Sequence, residues 1–315
     1  MTSDKKKQAP PFIHHPEYDA PLPAGHRFPM SKFRSLRKYL ENEGIAAADG
    51  FVTGENISRA HLELVHAPEY IDAFLENRLD EKAMRRIGLP WSEELARRSQ
   101  IAVGGTLMTT RMALEHGLAC NTAGGTHHAF PDFGSGFCIF NDLAVSARVV
   151  LNEGAVKRVL IVDLDVHQGD GTAFIFAGEE RVFTFSMHCE ANFPVAKQKS
   201  NLDIGLDKGT GDEEYLAVLG RELPRLLDEF EPELVLYDAG VDVHQDDLLG
   251  RLSLTDEGIS RRDYYVLSEC RRRNIPTACV IGGGYAEDRD QLTRLHALLH
   301  RAAIRVFQDL STDSG

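Results

Sequence analysis

RVLIVDLDV, Arg158 to Val166, is a short, β-branched apolar run that stops on charged residues, and it predicts a buried strand. Three similar runs follow it: RVFTFSMH at 181–188, ELVLYDAGVD at 233–242 and TACVIGGGY at 277–285. Helical spacing occupies the intervals, over Asn141 to Glu153, Asp212 to Phe230, Asp256 to Arg273 and Asp288 to Val306. Buried strands alternating with helices predict a mostly parallel sheet covered on both faces, a three-layer α/β/α architecture. Upstream, Met30 to Glu43, Ala67 to Glu76 and Ser92 to His116 read as helices, which makes the first third mostly helical. Residues 1–29, rich in Pro and His, read as an irregular N-terminal arm in which the pair His14-His15 is solvated. No repeat, low-complexity tract or Pro/Ser linker divides the chain, so 1–315 is expected to be a single domain.

The composition narrows the function. With 35 Lys and Arg against 48 Asp and Glu, the formal charge is −13 and no dense basic stripe appears, so direct nucleic-acid binding is not expected. The five cysteines, Cys120, Cys138, Cys189, Cys270 and Cys279, are scattered and odd in number, which predicts buried free thiols in a reducing compartment. MTSDKKKQAPP has a basic run without the apolar stretch of a secretory signal, and no apolar run is long enough to span a bilayer. A cytoplasmic location is the resulting expectation, with no membrane partner and the oligomeric state open.

Each predicted strand runs into polar residues and glycines at its C-terminal end, the edge where open parallel sheets bind ligands. In VDLDVHQGDGT, Val162 to Thr172, the residues Asp163, Asp165 and His167 alternate, so an extended chain would project all three to one side. Burying them unpaired would cost several kcal/mol, roughly, whereas a shared cation would compensate them. Asp170 suits a helix start. LYDAGVDVHQDD, Leu236 to Asp247, ends a second strand in Asp238 and Asp242; Asp242 is the better ligand candidate, and Asp246 and Asp247 read as a solvated turn. Two carboxylates and an imidazole make a three-ligand set with an open position, the pattern of catalytic zinc. VIGGGYAED, Val280 to Asp288, combines close backbone approach with Tyr285, but lacks the spacing of a phosphate-binding loop. In GGTHHAF, Gly124 to Phe130, adjacent rings point in different directions, so His127 and His128 suit a shared water better than one metal ion. Asp163 and Asp170 are available to fix the two tautomers.

Taken in order, GGTHHAFPDFGSGFCIFND, VDLDVHQGDGT, AGVD followed by DDLLGRLSLT, and GGGY resemble the zinc-dependent histone deacetylase family. HRFPM, DVHQGDG and LGRLSLTDEGISRRD are most similar to its class IV and related bacterial branch. The resemblance implies an arginase/deacetylase-like fold and a zinc ion, or ferrous iron, held by Asp165, His167 and Asp242. It implies His128 as the proton-transferring base and acid, His127 as its electrostatic partner, the pairings His127–Asp163 and His128–Asp170, and Tyr285 as a donor to the oxyanion. It also implies a narrow tunnel lined by Phe137, Phe193, Gly136 and Gly283, and potassium near Asp163, Asp165, His167, Ser186 and Met187. The implied reaction is removal of an acetyl or longer acyl group from an acylated lysine or a related small amine such as an acetylpolyamine. Thr126 stands where many relatives carry a bulkier residue, Gln168 replaces the second histidine of the common HH, and the rim aspartate of the eukaryotic nuclear enzymes has no counterpart. An aspartyl phosphotransferase would need a small or hydroxyl residue in place of His167, and a binuclear manganese ureohydrolase needs further bridging ligands. A metal-dependent sensor of acylated amines would share every binding residue and differ in turnover.

Overall fold

The computed structural model describes residues 9–47 and 49–309. Its strands are β1 (Phe12–His14), β2 (Phe51–Thr53), β3 (Leu118–Asn121), β4 (Val159–Asp163), β5 (Val182–Cys189), β6 (Leu202–Leu206), β7 (Leu234–Asp238) and β8 (Thr277–Val280). They form one sheet in the order β2-β1-β3-β8-β7-β4-β5-β6, and every pairing is parallel. Between them run α1 (Lys32–Asn42), α2 (Arg59–Leu62), α3 (Pro68–Leu75), α4 (Glu81–Ile87), α5 (Glu93–His116), α6 (Asp142–Asn152), α7 (Asp170–Ile175), α8 (Asp212–Phe230) and α9 (Asp256–Arg272), with α10 (Arg289–Asp309) closing the described chain. Helices α5 and α6 pack together, with α5 on β3 and β8; α9 and α10 pack on each other, with α8 and α1 alongside. No helix among the described residues is long and apolar enough to cross a membrane, and all five cysteines are buried and free.

The predicted helix boundaries agree with the structure to within a few residues because capping chemistry marks them. Ser92 Oγ accepts from the Leu95 amide at the start of α5, and Gly117, at φ 83°, ends it in the left-handed region. Asn141 caps α6 through the Ala144 amide, and Thr255 caps α9 through Gly258. The strand runs extend too far at their C-terminal ends: the run from Arg158 leaves the sheet after Asp163 and the one from Glu233 after Asp238.

The N-terminal segment departs from expectation. Residues 1–8 lie outside the described residues, but Phe12–His14 is not part of an irregular arm: it is an interior strand of the sheet, paired with β2 and β3. Nor is His14 solvated; it is 6% exposed, with Nδ1 2.8 Å from Thr122 Oγ1. Three residues flanked by prolines are too short to show periodicity, and only the long-range pairing makes them a strand. The same holds for β2, β3 and β6, which have no clear local signature, so the first third is helical with three strands threaded through or after it.

Two buried polar side chains tie the sheet edge to the helices. Arg262, on α9 and fully buried, donates to the carbonyls of Leu164 (3.2 Å), Ala239 (3.2 Å) and Gly240 (2.7 Å), and to the Asp263 carboxylate at 2.9 Å. It therefore fixes the chain just beyond β4 and β7. Arg262→Leu leaves Asp263 uncompensated and three carbonyls without their donor, and is expected to cost about 3–5 kcal/mol in denaturant unfolding.

His66 joins the loop after β3 to the start of α6: Nδ1 donates to the Phe130 carbonyl at 3.0 Å and Nε2 accepts from the Asn141 amide at 2.9 Å. Only the neutral ring can do both. Burial pushes this imidazole down from 6.5 to about 4, against hydrogen bonds at the Phe130 and Pro131 backbone that raise it. As pH falls below 6.5 the unfolded chain takes up the proton first, so stability is full above that value and is lost toward pH 4. The loss is at most about 3 kcal/mol. A urea midpoint that falls across this window in the native chain, and less in His66→Gln, is the expected result.

Candidate active site and metal centre

The central strands β3, β8, β7 and β4 are neighbours in the sheet, although more than a hundred residues lie between the first and last of them in sequence. Their C-terminal ends release GGTHH, GGGY, DAGVD and DLDVHQGD onto one edge, so loops distant in sequence converge.

Beyond β4 the chain does not stay extended as expected. The Asp165 amide donates to Asp163 Oδ1 at 3.2 Å, and the His167 amide donates to Asp165 Oδ1 at 3.0 Å. Carboxylates that capture the following backbone amides curl the segment, a local competition that apolar strand patterning does not reveal. Asp163 is thereby separated from Asp165 and His167, and the three do not line one face. His167 Nδ1 lies 3.0 Å from Asp165 Oδ1 and 3.1 Å from Asp242 Oδ2. The ligand atoms of Asp165, His167 and Asp242 all fall within 4.8 Å of one another. Backbone amides hold the carboxylates in place: Gly283 donates to Asp165 at 2.7 Å and Val166 to Asp242 at 2.9 Å. A Cβ at Gly283 would collide with both carboxylates, so only glycine lets the chain after β8 approach this closely.

This donor set fits a divalent cation. The three groups are buried, and two carboxylates converge on one imidazole with no lysine or arginine bonded to them among the described residues. Burial alone would lower His167, yet its hydrogen bonds to Asp165 and Asp242 raise it to about 10, so positive charge is strongly favoured at this point.

The paired histidines sit beside it. His127 Nδ1 is 2.8 Å from Asp163 Oδ2, His128 Nδ1 is 2.6 Å from Asp170 Oδ1, and the two Nε2 atoms face each other at 3.1 Å. The environments differ. Burial opposes charge on His127, but the Asp163 and Asp165 carboxylates hold it well above the usual imidazole range. Burial followed by the His127 charge lowers His128 to about 4, with Asp170 opposing, so His128 is the neutral ring of the pair. Tyr285 lies 6.5 Å from the His167 ring, centroid to centroid, and burial together with the Asp242 and Asp165 charges raises its phenol well above 10. Its hydroxyl remains a proton donor.

A cavity of about 700 Å³ opens over these groups, lined in part by His128, Gly136, Phe137, His167, Phe193 and Tyr285. Phe193 is 43% exposed at its mouth, and its ring stands edge-on to His128 with centroids 4.9 Å apart. Gly283 lies deeper, on an inner cavity of about 40 Å³ that Lys32 and Arg98 also line. Ser186 and Met187 lie on β5, Ser186 in register with Asp163; the Ser186 hydroxyl is 2.9 Å from His188 Nδ1.

Several participants carry little or no signal in the sequence. Asp247, expected in a solvated turn, instead accepts from the amides of Leu249 and Gly250 (both 2.8 Å) and Tyr285 (2.7 Å), and so anchors the GGGY loop. Asp142 accepts from the amides of Gly125 (3.0 Å) and Thr126 (2.7 Å) and holds the GGTHH loop. Asp238 is fully buried, 3.9 Å from His127 Nδ1, with both oxygens lacking a hydrogen-bond partner among the described residues. Lys32, a buried residue of α1, donates to the Gly282 carbonyl at 3.0 Å. Asp142 and Asp247 fall inside the quoted motifs and are accessible in principle; Lys32 has no local signal.

A parallel sheet whose central strand ends gather two histidine–aspartate pairs and a trio of donors that could hold a cation suits a metal-dependent hydrolase built on an α/β fold. The histone deacetylase domain matches residues 26–300. An uncharacterized protein of Picosynechococcus sp. is 54% identical over 297 residues, covering 94% of this chain and 99% of that one. Histone deacetylase 2 of Arabidopsis thaliana is 30% identical over 277 residues (82% of this chain, 70% of that protein), and acetoin utilization protein AcuC of Staphylococcus aureus is 28% identical over 281 residues (82% and 72%). The crystal structure of the HDA15 HD domain shares the fold, with a TM-score of 0.76 at 21% identity over 96% of this chain and 94% of that one. The chain belongs to the histone deacetylase family and is a hydrolytic deacetylase, metal-dependent as that family is.

Proposed function

We propose that the protein is a single-domain, cytoplasmic deacetylase that removes a short acyl group, acetyl above all, from an acylated lysine or small amine, with zinc or ferrous iron held by Asp165, His167 and Asp242. The observation that carries the reading is the clustering of those three donors within 4.8 Å beside a neutral His128 at the floor of an open cavity. A cation held there would supply Lewis acidity, polarising an amide carbonyl and lowering the pKa of the attacking water toward neutrality. His128 accepts the proton of the attacking water at Nε2, since its Nδ1 is committed to Asp170. His127, kept charged by Asp163, favours the negative charge that develops next to it. The Tyr285 hydroxyl donates to the carbonyl oxygen as that oxygen gains charge. His128 then returns its proton to the departing amine nitrogen. Potassium near Asp163, Asp165, His167, Ser186 and Met187 would steady the charge of the same edge.

The inner cavity limits the acyl group: at about 40 Å³ against about 700 Å³ for the outer one, and lined largely by buried residues, it favours a short chain. Acetyl-lysine peptides are expected to be hydrolysed at least about tenfold faster than hexanoyl or longer ones, because overpacking costs about 1–3 kcal/mol. The reaction is tested by following amine release from acetyl-lysine peptides with purified, chelated and zinc-restored protein. Activity lost on chelation and recovered with zinc supports the reading; metal-loaded protein that binds the peptides without turnover would make it an acyl-amine sensor instead.

A further inference from the structure

The outer cavity carries a charge opposite to that of the chain. The whole sequence is at −13, yet the residues lining the cavity of about 700 Å³ include Arg27, Arg85, Arg86 and Arg251 and no Asp or Glu. These arginines come from three separate places: the segment before α1, the last turn of α4, and the loop after β7. All four are exposed. Arg85 is engaged with Glu81 of its own helix, at 3.2 Å. Arg251 spends one nitrogen on the Ala191 carbonyl, at 3.0 Å. Arg86 lies over the Phe133 ring at 4.5 Å, which orients the guanidinium and leaves its N–H groups available. Neither Arg27 nor Arg86 has a carboxylate partner among the described residues.

The floor of the same cavity holds His128, His167 and Tyr285, so an amide placed there directs the far end of its amine portion toward this rim. A guanidinium presents a planar fork of donors matched to carboxylate and phosphate oxygens. An ammonium at that end would meet like charge with no counter-carboxylate, which disfavours it at encounter and when bound. We infer that the substrate is an acylated amine bearing an anionic group, carboxylate or phosphate, at the end remote from the amide, recognised by Arg27, Arg86 and Arg251. This rests on the proposed hydrolysis of acyl amides at the floor and selects among its substrates, against acetylpolyamines.

A matched series tests it, using zinc-loaded full-length protein: 6-acetamidohexanoate, 6-acetamidohexanamide and N-acetyl-1,5-diaminopentane share one stem and end in a negative, neutral or positive group. Acetyl-lysine peptides flanked by Glu or by Lys extend the comparison. At low salt, kcat/KM and the dissociation constant are expected to favour the anionic member over the neutral one by about tenfold, with the cationic member last, since each exposed pair contributes about 0.2–1 kcal/mol. The anionic-to-neutral ratio is expected to fall toward one in Arg27→Gln/Arg86→Gln/Arg251→Gln and in about 0.5 M NaCl. Preference for 6-acetamidohexanoate points to a small-molecule anion, and preference only for Glu-flanked peptides to acidic neighbours in a protein. Equal constants across the charge series, or a ratio unchanged in the triple variant, overturn the inference. If no member is hydrolysed, the hydrolytic reading fails, and the dissociation constants still decide whether the rim selects anions.

Discussion

Asp242→Asn is expected to empty the metal centre and reduce hydrolysis by at least about 10³-fold. The substitution removes one of two carboxylates that face His167, from a position 3.1 Å away, and replaces half of its acceptor capacity with a donor. The remaining pair, Asp165 and His167, offers too little negative charge to offset dehydration of a divalent cation. Loss of several kcal/mol of charge stabilisation corresponds to about three powers of ten in rate. Metal content measured after dialysis, alongside turnover, checks both parts; a variant retaining one equivalent of zinc and native turnover would remove Asp242 from the centre. The Val166 amide, which donates to Asp242 Oδ1, can still donate to the side-chain carbonyl oxygen of the substituted residue, so the fold is expected to persist.

Tyr285→Phe separates metal binding from catalysis. The phenol is raised well above 10 by burial and the nearby carboxylates, so the hydroxyl keeps its proton throughout the working range and acts only as a donor. The aromatic ring, which packs near Phe28 and Phe137, is retained in the variant. Metal content and KM are therefore expected to change little, while kcat falls about 10²–10³-fold, the range for removing one oxyanion donor. A fall in zinc content of the same size as the fall in rate would instead give the residue a structural role.

Much of this protein is legible without its structure. The strand runs at 158–166, 181–188, 233–242 and 277–285 carry the parallel core because β-branched, doubly buried strands have a strong local signature. Asp163, Asp165, His167 and Asp242 stand out because ionisable groups at the ends of apolar runs demand compensation, and the family resemblance selects Asp165, His167 and Asp242 among them. Asp247 reads wrongly as solvated because its partners, including the Tyr285 amide, are supplied in part by a loop 38 residues away. Phe12–His14 is invisible because a three-residue strand acquires its identity only from β2 and β3.

By itself the amino-acid order determined which residues alternate, which are capped and which are ionisable, since propensity, periodicity and side-chain chemistry are local properties. The tertiary structure supplies the geometry by which Asp163 turns to His127 while Asp165 and His167 turn to Asp242, groupings that the family resemblance implied, and it alone decided that Arg27, Arg86 and Arg251 share one rim. Those outcomes follow from sheet order and from backbone amides recruited across the fold, which bring together groups that no window along the chain contains.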